Sequence, residues 1–214
     1  MGRVGAKYQE WAFSIGCRNK LPGTPASNQC IKFVPARWAS TGRPSRAPFM
    51  QALCAKGGGV HHLAAQWIVE LLRDRNIPFL ICGGLAAKGY GSERDLNDID
   101  LFVPGEDFSA VVQAGQEFVS KAAAHRQEEG WDLTYVQFKY ESIKVEVGSA
   151  DGPKIFDAGS ETWVPLDIDF SRYATVHLLG LELPLMLRDE LVQYKFALSR
   201  PVDIEDIRAI RESA

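Results

Sequence analysis

Residues 80–103 read Leu-Ile-Cys-Gly-Gly-Leu-Ala-Ala-Lys-Gly-Tyr-Gly-Ser-Glu-Arg-Asp-Leu-Asn-Asp-Ile-Asp-Leu-Phe-Val, and they hold the residue types with most chemistry to offer. Asp98 and Asp100 stand two apart in a strand-like run, so both carboxylates leave the same face of the backbone. Two acids held that way repel each other unless a cation lies between them. Hard oxygen ligands of this kind suit Mg²⁺, which usually also takes oxygens from a substrate phosphate. Phosphoryl and nucleotidyl transfer often uses two such ions, roughly 3.5–4 Å apart, to activate the attacking oxygen and steady the leaving one. Gly83-Gly84 comes first, directly after an apolar run from Phe79 to Cys82. Without Cβ atoms the two glycines let the backbone approach a ligand closely, and a helix starting there offers free N–H groups to phosphate oxygens.

Other phosphate motifs fit worse. Gly84 to Gly89 has the glycine interval of a P-loop, but Tyr90 and Gly91 stand where Lys and Ser/Thr are required. The dinucleotide pattern G-x-G-x-x-G is absent. A phosphatase-type D-x-D ends an apolar strand, whereas Asp98 follows Asp95-Leu96-Asn97.

The stretch Gly-Gly-Leu-Ala-Ala…Tyr-Gly-Ser-x-Arg-x-x-x-Asp-Ile-Asp resembles the signature of the polymerase-beta-like nucleotidyltransferase superfamily, and most of all its small bacterial-type members, grouped with antibiotic and toxin–antitoxin nucleotidyltransferases. Asp189 to Ile207, with Glu190 inserted, is similar to that group's helical tail, where a Lys and an R-x-x-D-x-x-D segment recur. The likeness spans about residues 60–212 and does not reach the first 58. It implies that Gly83 and Gly84 cradle a triphosphate and that Asp98 and Asp100 hold the metals. It also implies that Arg94 meets phosphate charge and that Lys195 reaches the β/γ-phosphates from the tail. A third carboxylate belongs on a later strand, where it binds a metal or takes the proton of the attacking hydroxyl. Glu146 is the choice, with Asp167 and Asp169 as rivals. Gly84 departs from the many members that carry Ser there, which puts one phosphate hydrogen bond in doubt.

The implied reaction is Mg²⁺-dependent transfer of a nucleoside monophosphate from an NTP such as ATP to an acceptor hydroxyl, with release of pyrophosphate and two ions at the site. The acceptor, whether small molecule, tRNA or protein, is not readable, nor is the oligomeric state. The other reading is a non-catalytic nucleotide-binding or toxin–antitoxin partner of the same fold.

Positioning these residues takes a small set of elements. Val60, Leu63, Ala64, Trp67, Ile68, Leu71 and Leu72 recur at the interval of a helix with one buried face, ended by Asn76 and Pro78. Phe79 to Cys82 predicts a buried strand, Leu85 to Tyr90 a helical turn, and Ile99 to Val103 a second strand stopped by Pro104-Gly105. Glu106 to Arg126 predicts a helix with Phe108, Val111, Val112 and Phe118 as core contacts. Leu133 to Tyr140 and Ile143 to Val147 alternate, placing Ile143, Val145 and Val147 inward and Lys144 and Glu146 on the opposite face. Residues 148–183 are less regular, with a short strand at Val164 to Ile168. Pro184 to Ser199 and Val202 to Glu212 are two helices parted by Arg200-Pro201. His61 and His62 open the first helix facing solvent, and Trp131 and Trp163 serve packing. The class is α+β: a small mixed β-sheet core flanked by helices, with a C-terminal helical tail.

Of the 214 residues, 46% are hydrophobic and 24% charged, as in a globular protein. Residues 1–49 hold eight Lys/Arg against Glu10 alone, which leaves 16 basic and 26 acidic residues in the remainder of the 24 and 27. Pro22, Pro25, Pro35, Pro44 and Pro48 interrupt every apolar run in this head, so residues 1–58 are expected to be a disordered basic extension. The domain is 59–214, with its core over 59–170 and its tail over 184–214. The acidic body argues against a broad phosphate-tracking surface and suits a cationic small-molecule acceptor. Cys17, Cys30, Cys54 and Cys82 lack the spacing of a zinc or redox motif. A cytoplasmic protein is expected, with organellar targeting by residues 1–49 the less favoured alternative.

Overall fold

A computed structural model describes residues 59–213, so the expected basic extension lies outside the described residues. Helix α1 (Val60–Arg73) buries Ala64, Ala65, Ile68 and Leu72 on one stripe, as its spacing requires. The chain then leaves the helix at Asn76, which takes a left-handed φ of 54°. It enters strand β1 (Leu80–Ile81), helix α2 (Gly83–Gly89), strand β2 (Asp98–Val103) and helix α3 (Gly105–Ala114). Seven more strands follow: β3 (Val119–Glu128), β4 (Trp131–Tyr140), β5 (Ile143–Ser149), β6 (Lys154–Asp157), β7 (Thr162–Pro165), β8 (Ala174–Leu178) and β9 (Leu181–Leu185). Helices α4 (Arg188–Leu198) and α5 (Pro201–Glu212) form the tail.

All nine strands join one mixed sheet in the order β7-β6-β4-β5-β2-β1-β9-β8, with β3 beside β4. β2 runs parallel to β5 and β1 parallel to β9, while β1–β2 and β4–β5 are antiparallel. The alternation in β4 and β5 turns Val136, Phe138, Val145 and Val147 into the core, all fully buried. Trp67 of α1 closes that layer, stacked on Tyr140 at 5.1 Å and edge-on to Phe138 at 5.5 Å. Trp131 packs against Tyr194 at 5.6 Å and Trp163 against Phe156 at 5.5 Å, which are packing roles. Cys82 is a buried free thiol. Among the described residues no helix is long and apolar enough to cross a membrane.

The helix expected from Pro184 begins only at Arg188, because Pro184 and Leu185 complete strand β9, and two longer stretches also differ from expectation. The helix predicted over Glu106 to Arg126 stops at Ala114; Gln116–Phe118 is a single 3₁₀ turn and 119–128 is strand β3. Lys121 to Ala124 are good helix formers, but Gly115 ends the helix and Phe118 is drawn into the Trp67–Tyr140 cluster. From there the chain pairs along β4, with register shifts on either side of Lys121 that blur its alternation. The second stretch, 148–183, holds β6, β7, β8 and most of β9 rather than one short strand. Its turn signals are disguised: β8 and β9 are joined by Leu179-Gly180 with φ of 53° and 73°, a tight hairpin turn with leucine where Asn or Asp is usual. His61 and His62 are half-buried rather than solvent-facing, since the Leu179 carbonyl meets His62 Nδ1.

Candidate active site

β2 sends Ile99 and Leu101 into the core and leaves Asp98 and Asp100 half-buried on the other face. Parallel pairing with β5 sets Asp98 opposite Lys144 and Asp100 opposite Glu146. Neighbouring strands lie about 4.8 Å apart, so register alone brings the Asp100 and Glu146 carboxylates to adjacent positions. Gln137 faces Glu146 from β4 and donates Nε2–H to its Oε1 at 2.7 Å. The rival acids are elsewhere: Asp167 is exposed, and Asp169 accepts bonds from the Ser171 amide and hydroxyl at 2.9 and 2.6 Å, as a turn residue does.

Where β1 gives way to α2, Gly83 takes a φ of +60°. A Cβ there would come within 1.9 Å of Asp100 Oδ2, so the carboxylate occupies the space a side chain would need. Tyr194 of α4 fixes the same residue from the tail, its Oη accepting the Gly83 N–H at 2.8 Å. Gly83→Ala should therefore cost about 1–3 kcal/mol and displace Asp100, read as a lower thermal midpoint. An unchanged midpoint would refute the contact.

Burial, then the charges of Asp98 and Glu146, push the Asp100 carboxyl up to about 7, with Lys195 and Arg200 partly offsetting them. Burial, then the charge of Asp100, pushes the Cys82 thiol well up. Among the described residues no group of three or more His, Cys, Asp or Glu side chains is arranged to hold a metal ion. What fits a divalent cation is the donor chemistry: three hard-oxygen groups on one sheet face, one of them resisting ionisation through burial first and its acidic neighbours second. Two surface concavities, about 430 Å³ beside Tyr90 and Arg188 and about 350 Å³ against Phe79 and Tyr173, are lined by neither the glycines nor these acids.

A charge network joins the tail to the glycine turn. Asp206 of α5, fully buried, accepts from Arg94 Nε at 2.8 Å and Nη2 at 3.1 Å, and from the Ser92 hydroxyl at 2.8 Å. Lys195, expected to reach the phosphates, is 1% exposed, with Nζ 2.9 Å from Asp206 Oδ2 and 3.1 Å from Asp203 Oδ1. Arg200 binds Asp203 through Nε at 2.7 Å. Against burial, which raises it, the bonds from Arg94 and Lys195 hold the Asp206 carboxyl below the usual range.

No family model matches the sequence, and no curated protein matches it either. The likeness lies in solved structures. A candidate nucleotidyltransferase from Thermotoga maritima superposes with a TM-score of 0.55 at 20% identity, over 72% of this chain and 94% of that one. The lincosamide antibiotic adenylyltransferase LnuA, with lincomycin bound, gives 0.50 at 11% identity over 74% and 100%. ANT(2″)-Ia, in complex with adenylyl-2″-tobramycin, gives 0.50 at 16% identity over 72% and 90%. The chain has a nucleotidyltransferase-like fold. Within that nucleotidyltransferase-like fold Asp98, Asp100 and Glu146 share one sheet face beside Gly83, and Arg94 lies against Gly84. Sequence reasoning gave no role to Tyr194, or to Ser92, Asp203 and Asp206 within the motifs that contain them. For the two acids a signal existed, because R-x-x-D-x-x-D spaces both at one helical turn on a single face. Lys139 and Lys144, paired across β4–β5 and exposed next to Asp98, form a basic flank that composition hides.

Proposed function

We propose that this chain transfers a nucleoside monophosphate from an NTP to an acceptor hydroxyl and releases pyrophosphate. The observation that carries the reading is the seating of Asp100: paired in register with Glu146, two residues from Asp98, and packed on the glycine that opens α2. Asp98, Asp100 and Glu146 would hold Mg²⁺, which when bound neutralises phosphate charge and makes the attacking hydroxyl easier to deprotonate. The protein's own part is positioning. Gly83 and Gly84 let the triphosphate lie close to the backbone at the start of α2, where the amides that follow Gly83 would donate to it, the Gly83 N–H itself being held by Tyr194. Arg94, beside Gly84, supplies positive charge to the phosphates. Glu146, oriented by Gln137, is placed on the far side of Asp100 from the glycines. There it faces an incoming acceptor and can take its proton. Lys195 serves from behind, fixing Asp203 and Asp206 so that the tail stays docked.

The test is to incubate the full chain with each α-³²P-labelled NTP and Mg²⁺, with and without cell extract. Label transferred into a small molecule, RNA or protein supports the reaction and names the acceptor class. Nucleotide bound but never transferred, under all of these conditions, would replace the enzyme with a nucleotide-binding partner of the same fold.

A further inference from the structure

A guanidinium carries five N–H groups in a rigid fork. In Arg94, Nε–H and one Nη2–H go to Asp206, and one Nη1–H goes to the Asp95 carbonyl at 3.2 Å. One N–H on each Nη remains. The edge carrying them is not free to wander, because Asp206 grips the fork at two points and is itself fully buried. Its location is equally specific: a Cβ added at Gly84 would stand 2.6 Å from Arg94 Nη2 and 3.3 Å from Cζ. The guanidinium thus fills the space that a side chain at position 84 would take, at the second residue of the glycine turn.

Charge favours an anion there. Arg94, Lys195 and Arg200 make their ion pairs with only two carboxylates, Asp203 and Asp206, so the directly paired groups sum to one positive charge, which Asp98 and Glu205 reach only at longer range. Arg94 retains 15% exposure while Asp206 and Lys195 have essentially none, so it is Arg94 that can pass this charge outward.

We propose that Asp206 is the positioning residue that holds the Arg94 guanidinium in the seat left by Gly84, so that positions 84, 94 and 206 act together on the phosphates. The idea rests on the NTP reaction proposed above. It makes the absence of a side chain at 84 a requirement rather than a vacancy. A side chain there and the Arg94 guanidinium exclude each other, so the two positions are coupled in nucleotide binding.

The experiment is a double-mutant cycle. Dissociation constants of ATP, CTP, GTP and UTP with Mg²⁺ are measured by calorimetry for the full chain and for Gly84→Ser, Arg94→Gln and the double variant. In the presence of Arg94, Gly84→Ser should weaken the tightest NTP about tenfold. With Gln at 94 the same change should be neutral or improve binding, because the hydroxyl then has room and no competitor. Asp206→Asn should raise KM for the NTP with kcat little changed, and Asp206→Glu should recover part of the loss. Additive effects in the cycle would overturn the proposal, as would unchanged KM in folded Asp206→Asn. If the wild-type chain binds none of the four nucleotides, the underlying NTP reading falls with it. If it binds them and the cycle is additive, only the Arg94 seat falls.

Discussion

Asp100→Asn is expected to lower nucleotidyl transfer by at least about 10²-fold while making the metal-free protein more resistant to heat above pH 7. Both effects come from one feature. Asp100 has a folded-state value of about 7 because it is buried beside Asp98 and Glu146, against an ordinary 3.8. Between those two pH values the folded chain keeps a proton that the unfolded chain has released. Stability therefore falls as pH climbs through this window and stays lower above it. Asparagine cannot ionise, so the variant escapes the loss, and its advantage in midpoint should be larger at pH 8 than at pH 5. Mg²⁺ should reverse the ranking by stabilising the wild type, and more strongly at pH 8, since at lower pH a proton must leave before the metal binds. Thermal unfolding at both pH values, with and without Mg²⁺, reads all of this. A midpoint difference independent of pH would sink the account.

Asp206→Ala should be the most damaging change in the tail. It leaves Lys195 buried with only Asp203 and strips Arg94 of both side-chain bonds. Removing one partner of a buried ionic cluster costs about 3–5 kcal/mol, or roughly 10 °C in midpoint for a domain of this size. Lys195→Met should cost distinctly less, because Asp206 keeps Arg94 and Asp203 keeps Arg200 while methionine fills much the same volume. Equal losses for the two variants would mean that the network does not stabilise by charge compensation.

What could be read from the residues alone follows period and spacing. The two-residue alternation at 98–100 and 143–147 placed Asp98, Asp100 and Glu146 outside the core, and the glycine pair marked the turn beside them. Which of Glu146, Asp167 or Asp169 stands next to Asp100 is a matter of strand register between residues some 46 positions apart along the chain, and local pattern carries no such information. Tertiary contact overrode propensity at 119–126, where an alanine-rich run became an edge strand because β4 offered pairing partners. Arg94 and Lys195 read as cations near phosphate, yet their partners sit on α5, and no spacing in the sequence says that one carboxylate serves both.

That shared carboxylate bears on how the protein is made. Arg94 and Asp206 are 112 residues apart, and Asp206 belongs to the last helix described. At about 5–20 residues per second, roughly ten seconds separate their emergence from the ribosome. During that interval the guanidinium has no anchor and the glycine turn lacks its Tyr194 brace for most of the time. Translation must run through α5 before the Arg94–Asp206–Lys195 cluster can form, so under the proposed reaction a product terminated ahead of α5 is expected to be inactive.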